Sequence, residues 1–99
     1  MLKTSQILET LAKARPSYHE LGIDIVGIFG SYARNEANEN SDIDILYTTQ
    51  KGILNLYDKK CKVKEELKEL FHLDVDLANE KYLKPYAKEV ILKDVVYVK

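Results

Sequence analysis

The sequence predicts a single α/β domain in which a small mixed β-sheet is flanked by helices. Helical and extended patterns alternate along the chain in the order α-β-α-β-α-β-α, which is typical of this fold class. The 99 residues suffice for one hydrophobic core but not for a second domain that recognises a substrate. We therefore expect residues 1–99 to form one domain.

The first two elements are a helix and a buried strand. Thr4 or Ser5 can cap the helix, whose apolar residues recur at helical spacing at Ile7, Leu8, Leu11 and Ala14. Pro16 is expected to end or kink this helix, because proline removes a helical hydrogen bond, and a short turn then continues to residue 20. Residues 23–29 are almost continuously apolar and β-branched, which predicts a buried strand.

The later elements follow a polar loop that is rich in turn-forming residues. They are predicted as strands at residues 42–48 and 72–77, helices at 55–71 and 85–93, and a short edge strand at 95–98. In the helix at 55–71, we expect the apolar face to contain Leu56, Val63, Leu67 and Leu70.

Composition and charge exclude several classes of protein. The formal net charge of −1 argues against direct binding of nucleic acid or of a membrane surface. No apolar run approaches the roughly 20 residues that a transmembrane helix needs, and no signal-peptide pattern opens the chain. Cys61 is the only cysteine, so one chain can form neither a disulfide nor a cysteine-based zinc site. A cytoplasmic protein is the class that these features favour.

The first motif is the turn Gly30-Ser31, which follows the first predicted strand. A strand that enters a short helical turn directs backbone N–H groups to a position where phosphate binds. Gly30 lets a phosphate approach the backbone closely, and the Ser31 hydroxyl can donate to a phosphate oxygen. Arg34 can contact phosphate, or it can pair with carboxylates around the site. This motif therefore predicts a phosphate-binding turn.

The second motif is the pair Asp42 and Asp44, and ten residues separate Asp42 from the Gly-Ser pair. Residues two apart on a strand share a face, with α-carbons roughly 6.5 Å apart. Two such carboxylates repel each other unless they are protonated or bridged by cations. Mg²⁺ prefers oxygen ligands and shares its coordination shell with substrate phosphates. Each motif alone is common, but together they predict a two-metal site for phosphoryl or nucleotidyl transfer.

Gly-Ser followed by Asp-x-Asp resembles the signature of the nucleotidyltransferase superfamily that includes DNA polymerase β. The likeness is greatest to the minimal nucleotidyltransferases, small MNT-domain proteins often paired with a HEPN-domain partner. It covers nearly the whole chain, including the blocks GSYAR and SDIDIL and the segments 75–77 and 91–97. Asn35 stands where the family usually has Gly, and Asn tolerates the positive φ that this turn requires. The resemblance implies a polymerase β-like nucleotidyltransferase fold.

A third carboxylate can come from Asp74 or Asp76, which share the strand face opposite Leu73, Val75 and Leu77. The resemblance selects Asp76, because the third acid of the family lies in a Val-Asp-Leu context. It implies that Asp76 helps to hold the catalytic metal and can accept a proton from the attacking hydroxyl. The implied catalytic and metal-binding residues are then Asp42, Asp44 and Asp76, and the implied nucleotide-binding residues are Gly30, Ser31 and Arg34. Ser41 is expected to cap the loop or to orient Asp42.

The resemblance implies an enzyme that uses two Mg²⁺ ions to move AMP from ATP to a hydroxyl, with release of pyrophosphate. The expected acceptor is a tyrosine of a cognate HEPN ribonuclease toxin, so the chain would be an antitoxin within a hetero-oligomer. One alternative is a non-catalytic antitoxin that neutralises its partner by occlusion. Another is a nucleotidyltransferase that acts on a small molecule or RNA with the help of a partner subunit.

Overall fold

The computed structural model describes residues 2–99 and confirms a mixed α/β architecture. The helices are α1 (Thr4–Glu20), α2 (Gly30–Ala33), α3 (Leu56–Phe71) and α4 (Pro85–Asp94). The strands are β1 (Ile23–Phe29), β2 (Ile43–Thr49), β3 (Val75–Asn79) and β4 (Val96–Tyr97), and a 3-10 turn, Glu80–Tyr82, follows β3. Within residues 2–99, no helix combines the length and the apolar character needed to cross a membrane.

The four strands form one sheet in the order β3-β2-β1-β4. β1 pairs antiparallel with both β2 and β4, whereas β2 pairs parallel with β3. Parallel neighbours need a crossover connection, and α3 provides it between β2 and β3. This crossover brings the starts of β2 and β3 to the same end of the sheet.

In helix α1, the predicted end at Pro16 is wrong, because the helix runs through this residue to Glu20. Pro16 lies on the exposed side of α1, where the loss of one backbone hydrogen bond is tolerated. Beyond the proline, Tyr18 is only 2% exposed, and its hydroxyl donates to Glu66 Oε1 at 3.2 Å. Burial of Tyr18 therefore keeps the last turn of the helix in place.

The hydrophobic core lies between one face of the sheet and the helices α1 and α3. β1 and β2 contribute five buried isoleucines, Ile23, Ile25, Ile28, Ile43 and Ile45. The helices contribute Ile7, Leu11, Tyr18, Val63, Leu67 and Phe71. The predicted place of Leu70 on the buried face of α3 is wrong, because Leu70 is 51% exposed and its neighbour Phe71 packs into the core instead.

Two strand boundaries also differ from the prediction. β2 begins at Ile43, so Asp42 lies immediately before the strand. β3 begins at Val75, not at residue 72, because α3 continues to Phe71 and His72 then adopts a left-handed conformation with φ of 55°. The chain needs residues 72–74 to turn from the helix into the strand.

Candidate active site

Asp44 and Asp76 lie side by side on the sheet. Each is the second residue of its strand, and the parallel register of β2 and β3 pairs them directly. Paired residues of neighbouring strands share a face, and the strands are about 4.8 Å apart. Asp42 precedes Asp44 by two residues and is exposed. The structure thus brings together two of the three predicted carboxylates, Asp44 and Asp76. The third, Asp42, lies two residues before Asp44.

Asp74 is placed differently from Asp76. Its backbone carbonyl accepts a hydrogen bond from the Ile43 N–H at 3.0 Å. Its side chain is 76% exposed, with the carboxylate 3.7 Å from the Lys68 ammonium. Asp74 therefore anchors the start of β3 through its backbone, whereas Asp76 presents its carboxylate beside Asp44.

The carboxyl group of Asp44 has a pKa above its ordinary value. Burial is the largest cause, followed by the negative charges of Asp76 and then Asp42, while Arg34 acts in the opposite direction. Both acids disfavour the ionised form of Asp44 because like charges repel. A cation bound between these carboxylates would relieve that repulsion.

The Gly30 turn lies directly against Asp44. Gly30 has a φ of +74°, which residues with a Cβ atom rarely adopt. A Cβ added at this position would overlap Oδ2 of Asp44. Ser31 follows as a partly buried residue of α2. The predicted phosphate-binding turn and the predicted metal-binding acid are therefore in contact.

Arg34 pairs with carboxylates, one of its two predicted roles. Its Nε lies 3.0 Å from Glu36 Oε2, and its Nη1 lies 3.0 Å from Asp94 Oδ2. The pair with Asp94 ties α2 to the end of α4. Asn35, which follows, adopts φ of 62°, so the turn keeps the positive φ expected at this position.

Asp94 has a role that was not predicted from the sequence, although its position at the end of a predicted helix indicated one. Asp94 is the last residue of α4, and a negative charge is unfavourable at a helix C-terminus because of the helix dipole. Such a residue needs a cationic partner, and Arg34 supplies it from 60 positions away in the sequence.

Ser41 caps the loop before β2. Its hydroxyl oxygen accepts a hydrogen bond from the Asn38 N–H at 2.9 Å, and its own N–H donates to the Asn38 carbonyl at 3.1 Å. The Asn38 side chain also accepts from the Asn40 N–H at 2.8 Å. This small network fixes the segment that leads into Asp42.

The donor atoms at this site suit Mg²⁺, which prefers oxygen ligands. Among residues 2–99, no three His, Cys, Asp or Glu side chains are already grouped closely enough to hold one ion by themselves. Mg²⁺ usually takes only one or two carboxylates and completes its shell with water and substrate phosphates. The residues therefore fit Mg²⁺ that arrives with a nucleotide, not an ion held entirely by protein.

A mixed sheet that sets two aspartates beside a Gly-Ser turn defines a class of nucleotide-transferring protein. The chain matches the nucleotidyltransferase domain family over residues 6–98. Because this match spans most of the sequence, the protein belongs to the nucleotidyltransferase domain family.

Individual relatives are similar over almost their full length. The protein adenylyltransferase MntA of Thermococcus cleftensis is 37% identical over 99 residues, which cover 99% of this chain and 98% of the relative. A protein of Methanocaldococcus jannaschii, assigned as a protein adenylyltransferase, is 37% identical over 100 residues, covering 99% of this chain and 100% of the relative.

Solved structures share the fold. One described as a minimal nucleotidyltransferase superposes with a TM-score of 0.69 at 33% identity, covering 90% of this chain and 93% of the other. The crystal structure of a toxin-antitoxin with AMP-PNP superposes with a TM-score of 0.69 at 20% identity, covering 99% of this chain and 73% of the other. At this identity, the second likeness establishes the fold alone.

Proposed function

We propose that the protein transfers the AMP group of ATP to a tyrosine hydroxyl of a partner protein. The observation that carries the proposal is the register that places Asp76 beside Asp44, with Gly30 in contact with Asp44. This arrangement joins a phosphate-binding turn to a cluster of acids. The names of the relatives, which are protein adenylyltransferases, support a protein as the acceptor.

In the proposed reaction, the acceptor oxygen forms a bond to the α-phosphorus of ATP while the bond to the β-phosphate oxygen breaks and pyrophosphate leaves. Gly30 and Ser31 bind the phosphates through backbone N–H groups and a hydroxyl. Asp76 accepts the proton that the acceptor hydroxyl loses. Arg34, held by Glu36 and Asp94, lowers the pKa of Asp44 and so favours its ionised form.

Two Mg²⁺ ions are part of the proposal. Asp42 and Asp44 would hold them, and Asp76 would complete the site on the side of the attacking hydroxyl. When bound, such ions activate the attacking oxygen and neutralise charge on the phosphates. The raised pKa of Asp44 supports this assignment, because its ionised form lacks a sufficient counter-charge in the chain itself.

The partner that we propose is a HEPN ribonuclease toxin, which makes the protein the antitoxin of a hetero-oligomer in the cytoplasm, where ATP is available. This choice takes the class of partner from the resemblance to the minimal nucleotidyltransferases, and solved neighbours of the same fold include toxin-antitoxin complexes. The candidate acids lie on the outer side of the sheet, away from the core, with Asp42 and Asp76 both exposed. A large acceptor can therefore reach them from solvent.

A second candidate is neutralisation by occlusion, without transfer. Several large apolar side chains are exposed and suit a protein interface; on the 3-10 turn, α4 and β4 these are Tyr82, Tyr86, Val90 and Tyr97. Occlusion and modification are compatible, since a modifying antitoxin must also bind its target. Only the chemical step distinguishes them.

The test is the intact mass of the partner protein encoded beside this chain, after incubation with ATP and Mg²⁺. We expect the mass of one or more AMP groups to be added by the wild type and by Asp74→Asn, but not by Asp44→Asn. Peptide mapping then locates the acceptor. An unchanged mass within a stable complex would reject transfer to this partner and favour occlusion.

A further inference from the structure

Arg34 is held by two carboxylates, Glu36 through Nε and Asp94 through Nη1, each at 3.0 Å. Its second terminal nitrogen, Nη2, has no hydrogen-bond acceptor within residues 2–99. The side chain is 43% exposed, so a ligand can reach it from solvent. A guanidinium offers five N–H donors in a rigid planar fork, and its two pairs with carboxylates leave several of them available. Such an arginine can bind a further anion without breaking either pair.

The backbone of Arg34 is bonded to the predicted phosphate-binding turn. Its N–H donates to the Gly30 carbonyl at 3.1 Å, and the Glu36 N–H donates to the Ser31 carbonyl at 2.8 Å. Gly30 lies against Asp44, and the positive charge of Arg34 lowers the pKa of that carboxyl group. The guanidinium is therefore near both the turn and the acids, where the triphosphate lies in the proposed reaction.

Asp94 differs from Glu36 because it reaches Arg34 from a distant part of the chain. It lies 60 positions away in the sequence, at the end of α4. Its side chain is 29% exposed, whereas that of Glu36 is 65% exposed, so solvent screens the pair with Asp94 less. A long side chain that is already fixed loses less conformational entropy when a ligand binds. Asp94 can thus favour binding of an anion to Arg34 without touching the anion itself.

We propose that Asp94 is a positioning residue for nucleotide binding, which orients the Arg34 guanidinium so that its remaining N–H groups donate to the triphosphate of ATP. The two predicted roles of Arg34, pairing with carboxylates and contacting phosphate, then belong to one arrangement. The choice of ligand rests on the proposed function, but nucleotide binding can be measured without any transfer of AMP.

The charge of Asp94 alone predicts the opposite effect on nucleotide binding. A carboxylate near the triphosphate repels it, so loss of this charge by itself would tighten binding. If Asp94 orients Arg34, Asp94→Asn weakens binding, because the amide keeps the size of the side chain but not the charge-assisted hydrogen bond. The direction in which Kd changes therefore separates positioning from simple repulsion.

The binding test is isothermal titration calorimetry with α,β-methylene-ATP and Mg²⁺, since this analogue cannot donate its AMP group. We expect Asp94→Asn to raise Kd about three- to tenfold, and Asp94→Glu, which restores the charge, to raise it less. Glu89→Gln is the matched control, because Glu89 is an exposed acid of the same helix that pairs with Lys93. This variant should bind like the wild type. Circular dichroism checks that each variant is folded.

A double-mutant cycle tests whether Asp94 acts through Arg34. Arg34→Gln should weaken binding at least as much as Asp94→Asn does. In the Arg34→Gln background, Asp94→Asn should change Kd less than about twofold, because the group that it orients is already missing. Equal weakening by Asp94→Asn in both backgrounds would overturn the proposal, as would unchanged or tighter binding by the single variant.

Kinetics of AMP transfer supply a second readout. Asp94→Asn should raise the KM for ATP by a similar factor while kcat changes less than about twofold, because the lost interaction binds substrate and transition state alike. A fall in kcat with an unchanged KM would overturn positioning for nucleotide binding. Nucleotide binding that depends on Asp94, but without AMP transfer, would reject the proposed function and leave this inference standing. No binding to the wild type at about 1 mM would reject both.

Discussion

Asp44→Asn should stabilise the metal-free protein, although it should also abolish nucleotide transfer. Burial raises the pKa of Asp44, and so do the charges of Asp76 and Asp42, while Arg34 lowers it. The ionised carboxylate is therefore an unfavourable group in the folded protein. Asn has nearly the same size and hydrogen-bonding shape but carries no charge, so the substitution removes repulsion without leaving a cavity.

The expected gain follows from the geometry of the two paired strands. Asp44 and Asp76 are paired in register on strands about 4.8 Å apart. Two like charges at that separation repel by about 0.9 kcal/mol in water, and by about 3.5 kcal/mol at an effective dielectric constant of about 20. Because Asp76 is exposed, solvent screening favours the lower value. A gain of about 1 kcal/mol raises the Tm of a domain of this size by about 4–8 °C.

The gain in stability from Asp44→Asn should increase as the pH rises. The pKa of Asp44 in the folded protein is raised above its ordinary value of 3.8. At a pH between the ordinary pKa and the raised pKa, the folded protein therefore binds more protons than the unfolded chain. The contribution of Asp44 to stability is then fully present below the ordinary pKa and is lost as pH rises through the raised one. Asp44→Asn should therefore match the wild type at low pH and exceed it at neutral pH.

Thermal unfolding followed by circular dichroism in EDTA, at several pH values, measures this difference. Asp74→Asn is the matched control, because Asp74 is exposed and lies near Lys68, and it should not raise the Tm. Mg²⁺ with a nucleotide should stabilise the wild type more than Asp44→Asn. A lower Tm for Asp44→Asn in EDTA at neutral pH would refute the reasoning, as would an equal gain in Asp74→Asn.

Three further predictions concern single residues. Asp76→Asn should slow AMP transfer by about a hundredfold or more, whereas Asp74→Asn should change the rate of transfer by less than about threefold. A time course of transfer from labelled ATP measures both variants. Gly30→Ala should lower the free energy of unfolding in urea by about 1–2 kcal/mol, because alanine disfavours positive φ and its Cβ overlaps Asp44; a wild-type value would show that the turn has another conformation. Tyr32→Phe should leave that free energy equal or raise it by up to about 1 kcal/mol, because it removes a buried hydroxyl without a partner. A clear loss of stability would instead reveal a partner such as a buried water.

Local sequence patterns predicted the elements that depend on local chemistry. The β-branched run of β1 was bounded correctly at residues 23–29, because a short, nearly continuous apolar segment rich in β-branched residues favours a buried strand. The position of Gly30 at the end of this strand was also evident. Its positive φ agrees with the residue type, since glycine alone adopts such angles freely.

Predictions failed where distant residues overrode a local preference. Pro16 was expected to end or kink α1, but the helix does not end there, because burial of Tyr18 against the core and its contact with Glu66 hold the last turn in place. Helical spacing wrongly predicted Leu70 as the last core residue of α3. Packing against the sheet selected Phe71, and Leu70 remained exposed.

The sequence alone predicted that Asp42 and Asp44 lie two residues apart on one strand and share a face, although β2 itself begins only at Ile43. It could not determine which acid of the later strand lies beside them. That choice depends on the register between β2 and β3, which places Asp76 opposite Asp44. The partner of Arg34 was likewise decided only by tertiary structure, since Asp94 approaches it through the packing of α4. Local periodicity fixes which residues share a strand face, whereas contacts between strands and helices form only when the whole core assembles.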